Sequence, residues 1–368
     1  MTHSPDDLGE ACARPFSGAR WIDVRPRSTA CPHLAPTVLL HAGPRYSGAP
    51  PAPVLNAAAQ ALVLEGAAAD LAEARGRLAR GEFGLEPAQN HGVVTPLAQV
   101  VSASMRLIAV EQRGVVRFAP AVEGAPPALR FGSLDSACRE RLGTVSEWLD
   151  RELAPRVRRA PLDVARIVRR AIDAGDECHA RTGAAQAALV EGLTDLPDAL
   201  AAALAAMPAF VLPLLMAAAA AALIAGGSEI EAVGGNGIEF GIRVRGARTW
   251  RCASAEPPRG TLFAGRNAAV LPAIGDSAIV DFCGLGGQAL IAAPELVEEW
   301  RAVLPADALG RRAALIDPVT GMVDARRVAA QGVGPLVNLA MLDGAGEQGL
   351  IGRGCYEAPV GLFAAAVR

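Results

Sequence analysis

Three groups of residues in this sequence have types and spacings that could do chemistry. The first is residues 274–300, IGDSAIVDFCGLGGQALIAAPELVEEW, where Gly284, Gly286 and Gly287 follow an apolar run bounded by Asp276 and Asp281. Its pattern reads as strand, glycine turn and helix, with Ala278, Ile279 and Val280 in the strand. Such a turn can hold an anion, because the first N–H groups of a helix are unpaired and lie at the positive end of its dipole. The same glycines equally suit a tight turn that only lets the helix pack closely.

The second group is histidine chemistry. The apolar stripe of Val164, Ile167, Val168, Ala171 and Ile172 predicts one helix from Asp163 to about Leu193, with His179 at the edge of the stripe. Asp176, three residues earlier, then lies beside His179 and can orient the imidazole and raise its basicity; a core histidine next to a helix-boundary salt bridge has the same pattern. Glu177 falls on the charged face and is expected to be solvated unless another part of the chain covers it. His91, in the loop QNHGVVTP, precedes a helix that Thr95 and Pro96 would begin, and is either an acid–base group or a surface turn residue.

The third group lies on SEIEAVGGNGIEFGIRVRGARTW, which predicts a β-hairpin with Gly235, Asn236 and Gly237 in its turn. Ile238, Phe240, Ile242 and Val244 share one face of the second strand, and Glu239, Gly241 and Arg243 the other. Glu239 and Arg243 would stand about 13 Å apart and bracket a small polar ligand over the bare glycine. An exposed polar face is the alternative.

Composition narrows the function classes. The chain has 368 residues, 51% hydrophobic and 20% charged, with a net charge of -3, so no basic footprint points to nucleic acid or an anionic membrane. All 35 basic residues are arginine, which excludes a Walker lysine and a lysine Schiff base but leaves two-pronged recognition of carboxylates and phosphates. The seven cysteines (Cys12, Cys31, Cys138, Cys178, Cys252, Cys283 and Cys355) form no C-x-x-C pair, as expected of reduced cytoplasmic thiols, with no metal site and no cofactor. No signal peptide, HExxH, GxSxG or GxGxxG pattern is present. The uncharged run between Asp198 and Glu229 is long enough to cross a bilayer, but it is dominated by alanine and carries Pro208 and Pro213. It is expected to be a kinked pair of core helices, with no membrane partner.

These elements predict an α/β or α+β protein, helix-rich and multi-domain, with a mixed sheet and a buried Ala-rich helical segment. The expected divisions are an irregular segment at 1–50, with strands at Trp21–Val24 and Thr37–His41, an α/β part at 51–130, a helical domain at 131–227, and an α/β part at 228–368 carrying the hairpin and the glycine turn.

In order along the chain, PVLNAAAQALVLEG, the HG loop followed by VVSASM, GDECHAR, GNGIEFGIRV, IGDSAIVDFCGLGGQALIAAPELV, DPVTGMVDARRV, and GPLVNLAML through IGRG match the blocks of the YlbE-like family. The chain from about residue 51 to 368 resembles that family, which includes the AllG-type subunit of oxamate carbamoyltransferase. The resemblance implies a cytoplasmic subunit of a homo- or hetero-oligomer, working with an FdrA-like subunit and a further small subunit, often beside a carbamate kinase. In the implied reaction, oxalurate and phosphate exchange with oxamate and carbamoyl phosphate.

That chemistry needs an anion cradle, a carboxylate-binding arginine, a carbonyl-oxygen donor and an acid or base, and by physical reasoning Gly284, Gly286 and Gly287 are assigned to phosphate, Arg243 to a carboxylate and Asn236 to the carbonyl oxygen. His91 or His179 would transfer the proton, Asp176 would orient His179, and Glu177, Glu239 and Asp276 are secondary candidates. Ala180 and Thr182 stand where relatives commonly have asparagines, and the segment from Trp300 to Asp317 is short, which leaves the substrate open. A ligand-binding or scaffold subunit and a stand-alone amide- or ureide-cleaving enzyme are the rival readings.

Overall fold

The computed structural model describes residues 5–364. Arg20–Pro26 pairs antiparallel with Arg106–Gln112 on one side and Leu162–Asp163 on the other, and Val115–Pro120 completes this sheet. The hairpin expected around Asn236 forms, with strands Ile230–Asn236 and Glu239–Val244 and Gly237 at φ 85°. Ile274–Gly275 and Arg251–Ser254 add to its two edges. A third sheet joins Arg259–Leu262, Leu350–Glu357 and Leu336–Leu342, and Val38–His41 pairs in parallel with Gly84–Pro87. The class is α+β and helix-rich. The expected mixed sheet is distributed over three antiparallel sheets and one parallel pair.

The Ala-rich run is a core element. Asp198–Ala205 and Val211–Ala225 are helices joined by a turn through Pro208, and Pro213 sits in the first turn of the second helix, where its missing N–H costs no hydrogen bond. Every residue from Pro213 to Leu223 is buried, so although Pro208–Ala225 is long and apolar enough to cross a membrane, its surface is covered by the fold. Its alanines let the helix lie close against Arg106–Gln112, Val115–Pro120, Ile230–Asn236 and the short helix Ala278–Phe282. Burying Leu214, Leu215, Met216 and Leu223 there stabilises the fold by about 1.5–3 kcal/mol each. This core takes residues from Cys12 to Phe363, and a second core surrounds helix Ala52–Leu64.

Four local expectations change. The segment before residue 51 contains a helix, Pro5–Ala13, besides its two strands. Thr95–Pro96 starts no helix, because the Thr95 backbone exchanges hydrogen bonds with Asp276 instead. Ala278, Ile279 and Val280 are helical rather than extended; a short apolar run buried on all sides carries no period that separates the two states.

The helix begun at Val164 stops at Asp173 and resumes only at Gly183–Gly192. Gly175, at φ 84°, ends it: the Gly175 N–H donates to Ile172 O and the Asp176 N–H to Ala171 O, a Schellman closure. Cys178, at φ 69°, then holds the intervening loop in a left-handed turn costly for a side-chain-bearing residue.

The glycines of residues 284–287 are close-approach positions. A Cβ on Gly287 would lie 2.3 Å from Leu336 O, whereas one on Gly183 would meet nothing within 4 Å. Gly287→Ala is therefore expected to lower stability by about 1–3 kcal/mol in denaturant titration. Gly183→Ala should stay within about 0.5 kcal/mol of the parent.

Candidate functional site

The loop at 174–182 carries the main cluster. Asp176 does not reach His179: its Oδ1 accepts from the Cys178 N–H and its Oδ2 from the Ala184 and Ala185 N–H groups, so it caps the helix Gly183–Gly192 from outside. The expected Asp176–His179 pair is lost because the helix that would align them is broken.

His179 pairs instead with Asp281, at 2.7 Å from Nδ1 to Oδ2. The other oxygen of Asp281 accepts from the Gly287 N–H at 2.7 Å and the Asn338 N–H at 3.0 Å. Glu177 is fully buried rather than solvated, since strand Leu336–Leu342 covers it. It accepts from the Ala180 and Arg181 N–H groups and, at 2.7 Å, from Asn338 Nδ2.

The glycine turn closes around this cluster. The Gly284, Gly286 and Gly287 N–H groups donate to Asp281 O, Glu177 O and Asp281 Oδ1 respectively. The anion that the turn holds in this structure is the chain's own Asp281 carboxylate. A Cβ on Gly286 would lie 2.1 Å from Asp281 Oδ1, so glycine is needed for that contact.

Electrostatics poise the cluster for proton transfer. Burial works against a charged His179, but the Asp281 charge and hydrogen bond, with a smaller contribution from Glu177, outweigh it and hold the imidazole pKa above its ordinary value. Burial also raises the Glu177 carboxyl, against the bonds from Asn338, Arg181 and Ala180. Because Asp281 takes the Nδ1–H, Nε2 is the free acid–base position, and it has no protein partner among the described residues. Asn338 Oδ1, beside Glu177, is a buried acceptor without a donor.

Asp276 forms a separate node. Its carboxylate accepts from the Gly43 N–H at 2.8 Å, the Thr95 N–H at 2.9 Å and Gln89 Nε2 at 2.6 Å, and burial pushes it up to about 7 against all three. Asn236 lies nearby as a turn holder, its Nδ2 donating to Pro44 O and its Oδ1 accepting from the Ile238 and Glu239 N–H groups. Glu239 is half-buried and has no side-chain hydrogen bond among the described residues.

Arg243 belongs to a third group. It donates to Asn90 Oδ1 at 2.6 Å, as does Trp250 Nε1 at 3.1 Å. The surface over Gly241 is occupied by Trp250 and Cys252 rather than bare. Arg117 lies near enough that the Arg243 charge, after burial, lowers its pKa; Glu231, whose direct ion-pair partner is Arg245, acts on both guanidiniums in the opposite sense. His91 is turned elsewhere, towards Glu86 and His33.

Sequence reasoning did not select Asp281, Asn338, Gln89, Asn90 or Arg117 as site residues. Asp281 and Asn338 had a signal: each is a lone polar residue inside an apolar run, IVDFC and LVNLAML. Arg117 had the same signal, alone in VVRFAP, whereas Gln89 and Asn90 stand in the polar loop QNH and carried none. For the Asp276 node, Asp276→Ala would leave three buried donors unpaired. We expect a loss of about 3 kcal/mol or more in urea denaturation, and a loss below about 1 kcal/mol would remove the node's structural role.

A family model described as oxamate carbamoyltransferase subunit AllG matches residues 83–277. The oxamate carbamoyltransferase subunit AllG of Escherichia coli K12 is 32% identical, with 94% of this chain and 92% of that protein covered. The uncharacterized protein YahG of the same organism is 29% identical, over 91% of this chain and 79% of its own length. A crystal structure of a conserved protein of unknown function from Enterococcus faecalis V583 superposes with a TM-score of 0.81 at 27% identity, covering 98% of this chain and 96% of that one. By the span of the family match and the identity held across almost the whole chain, this protein belongs to the AllG family.

Proposed function

We propose that this chain is a subunit of a cytoplasmic carbamoyltransferase of the oxamate type, working with partner subunits, and that His179 is its acid–base group. The observation that carries the reading is the buried His179–Asp281 dyad beside Glu177 and the unpartnered Asn338 Oδ1. When an amide nitrogen attacks the carbamoyl carbon, it must lose a proton as the N–C bond forms and the bond to phosphate oxygen breaks. Nε2 of His179 accepts that proton, and Asp281 stabilises the imidazolium; in the reverse direction the imidazolium returns it. Asn338 Oδ1 accepts a hydrogen from the amino group of the carbamoyl or amide, which satisfies the orphan acceptor. Asp281 takes the orienting role that Asp176 was expected to have, and Glu177 serves as a second proton-holding group.

Arg243 keeps the carboxylate-binding role inferred from the sequence, with Arg117 added beside it. Two partly buried guanidiniums with a third, Arg245, nearby and one carboxylate, Glu231, among them favour a bound anion. The Gly284–Gly287 turn acts through Asp281 rather than as a free phosphate cradle. Asn236 and Asp276 hold the walls.

The test is carbamoyl phosphate formation from oxalurate and phosphate by the enzyme reconstituted with its partner subunits. His179→Gln should lower kcat by about 10²–10⁴ while the complex still assembles. Full turnover in that variant would overturn the assignment. In this direction the His179 imidazolium must give its proton to the leaving amide nitrogen, and because Asp281 raises the His179 pKa, the descending limb of the pH–rate profile should lie above the usual histidine range; Asp281→Asn should move it to lower pH with reduced kcat. Arg243→Gln should raise the KM for the anionic substrate with little change in kcat; an unchanged KM takes the arginine pair out of the site and leaves the dyad untouched.

A further inference from the structure

A second cluster of titratable groups lies apart from the dyad. The parallel pairing of Val38–His41 with Gly84–Pro87 brings the loop before the first strand against the turn that ends at His91. There His33 Nε2 stands 3.1 Å from His91 Nδ1, the ring centroids 5.3 Å apart and the planes tilted by 32°, so the rings meet nitrogen to nitrogen rather than stacked. The other nitrogen of His91 bonds Glu86 Oε2 at 2.9 Å, and Arg45 lies 3.6 Å from Glu86 Oε1. The Cys31 thiol donates to the His91 carbonyl and steadies the backbone of the turn.

An ionised Glu86 can only accept, so Nε2 of His91 carries its hydrogen and Nδ1 directs a lone pair at His33. A carboxylate that fixes the tautomer of an imidazole in this way is the usual support of a metal-ligating histidine. Two imidazole nitrogens on one tetrahedral zinc, with bonds of about 2.0–2.1 Å, lie about 3.3 Å apart, close to the separation found here. His33 is exposed and can adjust its ring without disturbing the core.

We propose that His33 and His91 together bind one divalent late transition-metal ion, with zinc as the type ion and Glu86 as the positioning residue. Among the described residues no three or more His, Cys, Asp or Glu side chains converge on a metal site, so the protein supplies two imidazole nitrogens and water fills the remaining positions. On binding, the hydrogen that His33 Nε2 shares with His91 moves to the solvent-facing Nδ1, leaving a lone pair for the metal and releasing no net proton. The ion would clamp the loop of His33 to the turn that also carries Gln89 against Asp276 and Asn90 against Arg243.

The test titrates the full-length protein with zinc chloride in competition with a chromophoric chelator, in a Cys252→Ser background that removes the exposed thiol. One equivalent should bind to the parent and be lost in both His33→Ala and His91→Ala, while Glu86→Gln should weaken it by about 10–100-fold. Equal zinc binding by the parent and His33→Ala, or no stoichiometric zinc on the parent, would overturn the proposal. Neither result bears on the His179 dyad, whose residues are untouched.

Discussion

The carboxylate of Asp281 ties together three stretches of chain that are far apart in sequence. It sits with no solvent exposure at the end of the one-turn helix Ala278–Phe282 and accepts from His179, from the glycine turn and from strand Leu336–Leu342. A buried charge is costly unless its acceptor sites are filled, so each of those donors must stay in place for the others to be tolerated. The loop 174–182, the turn 284–287 and the strand are therefore one unit, held by electrostatics within an otherwise apolar core. Only glycine admits the approach, since a Cβ at 286 would collide with the carboxylate itself.

The same short helix is flanked by a second buried carboxylate. Asp276 lies just before it and faces the other way, towards Gly43, Gln89 and Thr95. Asp281 thus secures the C-terminal strands and the GDECHAR loop, and Asp276 secures the residues before 100. Consecutive side chains of the turn Gln89, Asn90 and His91 then reach three different neighbours: Asp276, Arg243 and Glu86. Rigidity at the site comes from these few charge-assisted bonds laid across a helix core rich in alanine.

Seen as chemistry, the arrangement separates two tasks. Proton transfer is the task proposed for a buried imidazole whose basicity is raised by a fixed carboxylate, with Glu177 and Asn338 beside it. Anion recognition is the task proposed for the hairpin side, where two partly buried guanidiniums, Arg117 and Arg243, share the field of Glu231. A carbamoyl-transferring enzyme needs both, and membership of the AllG family gives the setting in which they are proposed to act.

The sequence alone determined what local rules control. Alternating residues about Gly235-Asn236-Gly237 gave the hairpin, and the uncharged run with Pro208 and Pro213 gave buried helices, because strand period, positive-φ turns and proline placement act over a few residues. His179 and Glu177 were legible as candidates, and ordered blocks along the chain revealed the family. Tertiary structure decided the rest. Gly175 breaks the helix that would have paired Asp176 with His179, and a contact 102 residues away in sequence supplies Asp281 instead. Asn338 reaches Glu177 across 161 residues, and the glycine turn is closed by the Asp281 carboxylate that its Gly287 N–H binds. Such partners are chosen by which buried charges find donors once the core has formed, and no period or spacing in the chain records that choice.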